Sequence, residues 1–200
     1  MPRGLSPIAF LILCASFALP AADGAAPARE RAGYEGQGIT LSVSVRTPEQ
    51  VVAFYSARGF PENAVRALAE KCLVTVGMRH RRRDVVWLEP ARWRFVDAGG
   101  REVRRLDRAY WAQRWEALAV PAASRATFGW TQLPESRALL PGEPVGGNVV
   151  IEPPAGRFRL ELRFATGADK RGPALRAVIE GLSCAGGGAG GAGDGGEFPP

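Results

Sequence analysis

Residues Arg157 to Phe164 alternate with a period of two: Phe158, Leu160, Leu162 and Phe164 are apolar, and Arg157, Arg159, Glu161 and Arg163 are charged. Successive side chains of an extended strand point to opposite faces, so this stretch buries one face and wets the other. A helix would scatter the same residues around its circumference. The chain must therefore supply partner strands that share the apolar face. Ile39, Leu41, Val43 and Val45 alternate with Thr40, Ser42, Ser44 and Arg46 in the same way. Cys72 to Met78 is an apolar, β-rich run, and Val85 to Leu88 reads as a returning strand. The polar break between them, Arg79-His80-Arg81-Arg82-Arg83-Asp84, is then the basic tip of a hairpin. Shorter strands are expected around Trp93 and Phe95, ending near Gly99-Gly100, and over Ala126–Gln132, Asn148–Glu152 and Leu175–Cys184.

Three segments break this pattern toward helix. Thr47 can cap a helix whose first turn holds Pro48 and whose Gln50 completes a capping box. Val51, Val52 and Tyr55 share a face, and Gly59 ends the helix. A second helix begins at Pro61 and buries Val65, Leu68 and Ala69. Over residues 104–118, Leu106, Tyr110, Trp111, Trp115 and Leu118 recur at helical spacing. The fold class that follows is mainly β with short helices.

The N-terminus constrains the compartment. Arg3 precedes an apolar stretch from Pro7 to Leu19, then Pro20-Ala21-Ala22 and Asp23. A basic start, an apolar middle and a small-residue exit are the parts of a signal peptide, and the stretch is shorter than the roughly 20 residues that span a bilayer. The expected organisation is a signal peptide over 1–22, a flexible leader over 23–37, one β-rich domain over 38–184 and a disordered Gly-rich tail over 185–200. Cys14 leaves with the signal peptide. Lipidation there is disfavoured, because Leu13 stands where a small residue would be needed. Cys72 and Cys184 remain, an even pair in an oxidising compartment, and a disulfide between them is expected; the alternative is two buried thiols.

Composition narrows function mostly by exclusion. The net charge is +6, but all of the 26 basic residues except Lys71 and Lys170 are arginine, alongside 25 glycines and 16 prolines. That bias discounts charge as a sign of nucleic-acid binding, and no nucleic-acid-binding motif is present. An anionic envelope component or a protein is the expected partner. After signal cleavage no second apolar stretch is long enough to cross a membrane. The lone histidine, His80, sits among arginines and reads as a solvated loop residue, and no Gly-x-Ser-x-Gly elbow accompanies it. No spacing of Cys, His or carboxylates suggests a metal site, and no cofactor is implied. Glu89, Glu135 and Glu143 could act as a glycosidase pair only if folding brought two of them together. Most of the five tryptophans are expected to fill the core, and Trp111 and Trp115 on the 104–118 helix are the best candidates for an exposed binding platform. Arg79, Arg81, Arg82 and Arg83 form the sharpest charged surface feature.

One string resembles a known pattern. Leu140-Pro141-Gly142-Glu143, Gly146-Gly147, Val149-Val150-Ile151, Pro153 and the strand Phe158–Phe164 resemble the later strands of telokin-like immunoglobulin-fold modules of bacterial secreted proteins and lipoproteins. The resemblance implies an immunoglobulin-like antiparallel β-sandwich with helical insertions, and a periplasmic or secreted location. It implies no reaction, since such modules share no active site. The functional expectation is an exported, non-catalytic binding or accessory domain of the bacterial cell envelope. The alternative is a cell-envelope enzyme that acts on polysaccharide through a carboxylate pair.

Overall fold

The computed structural model describes residues 31–184. The expected signal peptide, the first part of the leader and the Gly-rich tail lie outside the described residues. In chain order these form β1 (Arg31–Gly36), β2 (Ile39–Arg46), α1 (Pro48–Ser56), α2 (Glu62–Ala69), β3 (Cys72–His80), β4 (Val86–Leu88), a short 3-10 turn (Pro90–Arg92), β5 (Arg94–Asp97), β6 (Glu102–Val103), β7 (Arg105–Leu106), α3 (Arg108–Ala117), α4 (Ala122–Thr131), β8 (Arg137–Leu139), β9 (Val145–Ile151), β10 (Arg157–Thr166) and β11 (Gly172–Ser183). The fold is therefore β-rich, with antiparallel sheets and four α-helices among the described residues.

The first sheet runs β1-β2-β3-β9-β7, all antiparallel. The second is centred on β10. Its apolar face and charged face fall as the alternation predicts, with Phe158, Leu160, Leu162 and Phe164 buried. β11 pairs along one side of β10, while β5 and β4 pair end to end along the other, flanked by β6 and β8. The two sheets share one core. Val74, Val76 and Met78 of β3 meet Leu160, Leu162 and Phe164 of β10 and Leu175, Ala177 and Ile179 of β11 in it. Cys72 opens β3 in the first sheet, Cys184 follows β11 in the second, and they are bonded with Cα atoms 5.7 Å apart. The bridge closes a separation of 112 residues. Chain entropy alone would make it worth about 4–5 kcal/mol, and measured values usually fall below that.

A second core lies on the other side of the first sheet. Leu73 of β3, Leu106 of β7 and Val150 of β9 point away from the shared core. Against them pack Val51 and Tyr55 of α1, Val65 and Leu68 of α2, Trp111 and Trp115 of α3, and Phe128 of α4. This explains why Cys72–Val76 and Val149–Ile151 read as nearly continuous apolar runs: these strands are covered on both faces. The α1 start follows its sequence closely. Thr47 Oγ1 accepts from the Gln50 N–H, and the Gln50 side chain accepts from the Thr47 N–H.

Four expectations change. Residues 31–36, placed in the leader, form β1 and pair with β2 from Arg31↔Ser44 to Gly36↔Ile39. The 104–118 helix begins only at Arg108, because the Asp107 side chain accepts from the Tyr110 N–H and caps it there, while Arg105–Leu106 pair with β9. Ala126–Thr131 is not a strand but the end of α4, which starts after Pro121 and buries Ser124 and Phe128 four residues apart; only Gln132 is extended, bridging Asn148. Finally, β3 and β4 form no hairpin. β3 pairs with β2 and β9, β4 pairs with β10 and β8, and the arginine-rich segment crosses between sheets.

The β1–β2 turn also reaches the second sheet. Gln37 and Gly38 adopt positive φ (51° and 75°). The Gln37 side chain donates to the Arg176 carbonyl at 2.7 Å and accepts from the Arg176 N–H at 3.4 Å. No helix of the described residues is long and apolar enough to cross a membrane.

Candidate ligand groove

The residues singled out from sequence separate in space. Trp111 and Trp115 are each 2% exposed, stacked with ring centres 4.6 Å apart, and Phe128 packs against both. They are fillers of the helical core, not a platform, because α3 turns that face toward the first sheet. His80 is fully buried rather than solvated. β3 runs two residues beyond Met78, so strand alternation points Arg79 out and His80 in, where its Nε2 lies 3.2 Å from the Leu139 carbonyl. Of the basic segment, Arg79, Arg81 and Arg83 are exposed. Arg82 is half-buried and held by both oxygens of Asp84 at 2.8 and 2.9 Å. That hydrogen-bonded guanidinium holds the Asp84 carboxyl below its ordinary range.

The three glutamates do not meet as a pair. Glu135 is gripped by both terminal nitrogens of Arg105 at 3.1 and 2.7 Å. Glu143 accepts from the Leu140 N–H and from Arg137, and the backbone bond first, then the arginine, lower its pKa. Glu89 pairs with Lys170 at 2.6 Å and Arg92 at 3.1 Å. The hollow beside Glu135 holds about 20 Å³, room for one water and not for a sugar ring.

A different set of residues converges. Between α1 and the end of α4, an open groove of about 630 Å³ lies over the outer face of the first sheet. Its floor is Leu73 and Thr75 of β3 with Gly146, Gly147 and Asn148 of β9, and Arg46 closes one side. Gln50 and Phe54, four residues apart on α1, form one wall together with Arg58. Trp130 and Thr131 form the other. Trp130 is 87% exposed, and Phe54 is also exposed. The volume falls within the 300–1,000 Å³ typical of small-molecule sites.

Hydrogen bonds fix both the walls and the floor. Thr131 Oγ1 donates to the Phe128 carbonyl, so Tyr55 OH donates to Thr131 Oγ1 at 2.9 Å and accepts from Gln132 Nε2. Burial raises the Tyr55 pKa against the opposing hydrogen bonds, so the phenol stays protonated and ties α1 to α4. On the floor, Arg46 Nε donates to Thr75 Oγ1 at 2.9 Å, and Thr75 donates to Asn148 Oδ1 at 2.8 Å. The Arg58 guanidinium lies 3.4 Å over the Phe54 ring and donates to the Phe54 carbonyl.

The ionisable side chains lining the groove are Arg46, Arg58 and Tyr55, and its described lining residues include no Asp, Glu, His or Cys. Neutral hydroxyls and amides, two cations and exposed aromatic faces suit binding and supply no general base. Sequence reasoning missed this site because its residues come from four separate segments and Trp130 was placed on a strand. Gly146-Gly147 beside Asn148, inside a strand, was the available signal: glycine in a strand often marks close approach.

No protein-family model matches this sequence, and no curated protein matches it. A solved structure, the yjhA protein from Bacillus subtilis, aligns with 64% of this chain and 75% of its own, at 12% identity and a TM-score of 0.39. A likeness of that size carries no argument about function, which rests on the groove.

Proposed function

We propose that this chain is an exported, non-catalytic binding domain of the bacterial cell envelope, and that the groove between α1 and α4 is its ligand site. The observation that carries this reading is Trp130. The neighbouring aromatic Phe128, two residues earlier on α4, is buried, while the Trp130 indole stands 87% exposed on the rim of a preformed groove. Exposed aromatics beside polar groups are the usual anchors of binding sites. The signal-peptide pattern and the Cys72–Cys184 bridge support export. Two antiparallel sheets joined by a disulfide across a shared core support a sandwich architecture of immunoglobulin-like type, and the kinship with telokin-like modules rests on the sequence string from Leu140 to Phe164 alone. The exposed guanidiniums of Arg79, Arg81 and Arg83 add attraction toward an anionic envelope component.

The test compares the parent protein with Trp130→Ala in the presence of soluble envelope fractions. Stabilisation of the parent on heating, absent in the variant, is the expected result. Equal stabilisation of both removes the groove from the model. Mass analysis of the protein recovered from the growth medium or periplasm should show loss of residues 1–22. Intact Met1 in the cytoplasm would overturn export.

A further inference from the structure

We infer that the groove takes an acidic glycan, a sugar chain bearing carboxylates, with one ring against Trp130 and a carboxylate on Arg58. This rests on the reading of the groove as the ligand site. The floor is the face of a sheet and not its edge. β3 and β9 pair directly beneath it, Thr75 with Asn148 and Gly77 with Gly146. Their backbone groups are committed to each other, so an extended peptide has no ladder to join. Recognition must come from side chains, and those present match a sugar ring. Trp130, and the Phe54 face opposite Arg58, offer surfaces for its C–H groups, and the amide nitrogens of Gln50 and Asn148 with the remaining lone pair of Thr75 Oγ1 offer donors and an acceptor for its rim.

Two details sharpen the ligand. Gly146 is exposed, and a Cβ built there would meet nothing nearer than the Val76 carbonyl oxygen at 3.7 Å. The missing side chain leaves room for a ring to approach the sheet. The charged groups lining the groove are both guanidiniums, with no carboxylate among the described lining residues. Arg58 uses one terminal nitrogen on the Phe54 carbonyl, and the rest of its planar donor set remains to grip a carboxylate.

The experiment is calorimetric titration of the processed full chain with oligogalacturonate, oligomannuronate, a neutral oligoglucan of equal length and hexaglutamate. A uronate oligomer should bind in the millimolar range or tighter. The neutral glycan should bind about tenfold more weakly, as should the uronate to Arg58→Gln. Binding should be lost in Trp130→Ala and in Gly146→Val, whose added side chain fills the floor, and partly restored in Trp130→Phe. Circular dichroism of each variant should match the parent. Equal affinity for neutral and acidic glycans overturns the assignment of charge. Hexaglutamate binding that depends on Trp130, without uronate binding, overturns the glycan but leaves the groove standing. Uronate binding untouched by Trp130→Ala and Gly146→Val overturns the groove itself. Binding of none of the four probes overturns the acidic glycan.

Discussion

The two faces of the first sheet are made by the same strands and meet different surroundings. On the inner face, Val74, Val76, Met78, Val149 and Ile151 are all buried against the second sheet. On the outer face the apolar residues stop early. Leu73 and Val150 lie under the helices, and the next outward positions along β3 and β9 are Thr75 and Gly77, and Asn148 and Gly146. The helices therefore cover one end of the outer face and leave the other as the floor of the groove. The tryptophans divide in the same way: Trp111 and Trp115 belong to the covered end, and Trp130 to the border of the open one. A strand that is apolar on one side throughout and on the other only in part marks where packing ends and recognition begins.

That contrast can be broken by substitution. The largest effects belong to the closed surfaces. Phe164→Ala, in the inner core, and Trp111→Ala, under the helices, should each lower unfolding free energy by about 3–5 kcal/mol in denaturant titrations. A cost below about 1 kcal/mol at either site would mean that face is not a core. Opening the Cys72–Cys184 bridge, by paired replacement with serine, should cost about 2–4 kcal/mol and act on the contact between the sheets. Alkylation of both cysteines without reductant would refute the bridge.

Acid should act on the turns rather than on either face. Asp84, Asp97 and Glu143 all have lowered pKa values. For Asp97 the main cause is the Arg101 N–H, 2.9 Å away, followed among the favourable causes by the Arg101 side chain. A carboxylate depressed in the folded state contributes stability that is complete above its unfolded pKa, about 4. That contribution disappears as pH falls through the lower folded value. The melting temperature should therefore decline below about pH 4, and Asp97→Asn should flatten the decline. An unchanged pH profile in that variant would show that the turn contributes nothing. The smallest effect is the sharpest test of the contrast: Trp130→Ala should change stability by no more than about 0.5 kcal/mol while removing ligand binding.

What could be read from sequence depended on how local the cause was. β2, β10, α1 and α2 were legible because alternation, a capping box and a Pro-led first turn act within a few residues. Cys72–Cys184 was legible by counting. The hairpin between β3 and β4 was not, because neighbouring apolar runs pair locally by default, and only tertiary packing sends Val86–Leu88 to β10. In α4, Phe128 and Trp130 mimic a strand's period of two. The competing cue was Pro121 followed by Ala122, Ala123 and Ala126, which favours a helix. The groove was illegible for a deeper reason: Phe54, Thr75, Trp130 and Gly146 become neighbours only once the helices sit on the sheet.

Gln37 has a consequence for how these molecules behave in a crowd. Its amide presents the Arg176 peptide with a donor and an acceptor, as a neighbouring backbone would. At that point β11 is no longer a free template onto which another molecule's strand can polymerise. One side chain in a tight turn thus acts as a stopper against edge-to-edge sheet growth, and shortening it to alanine should reopen a nucleation point, read as faster fibril formation by dye fluorescence, without touching the groove.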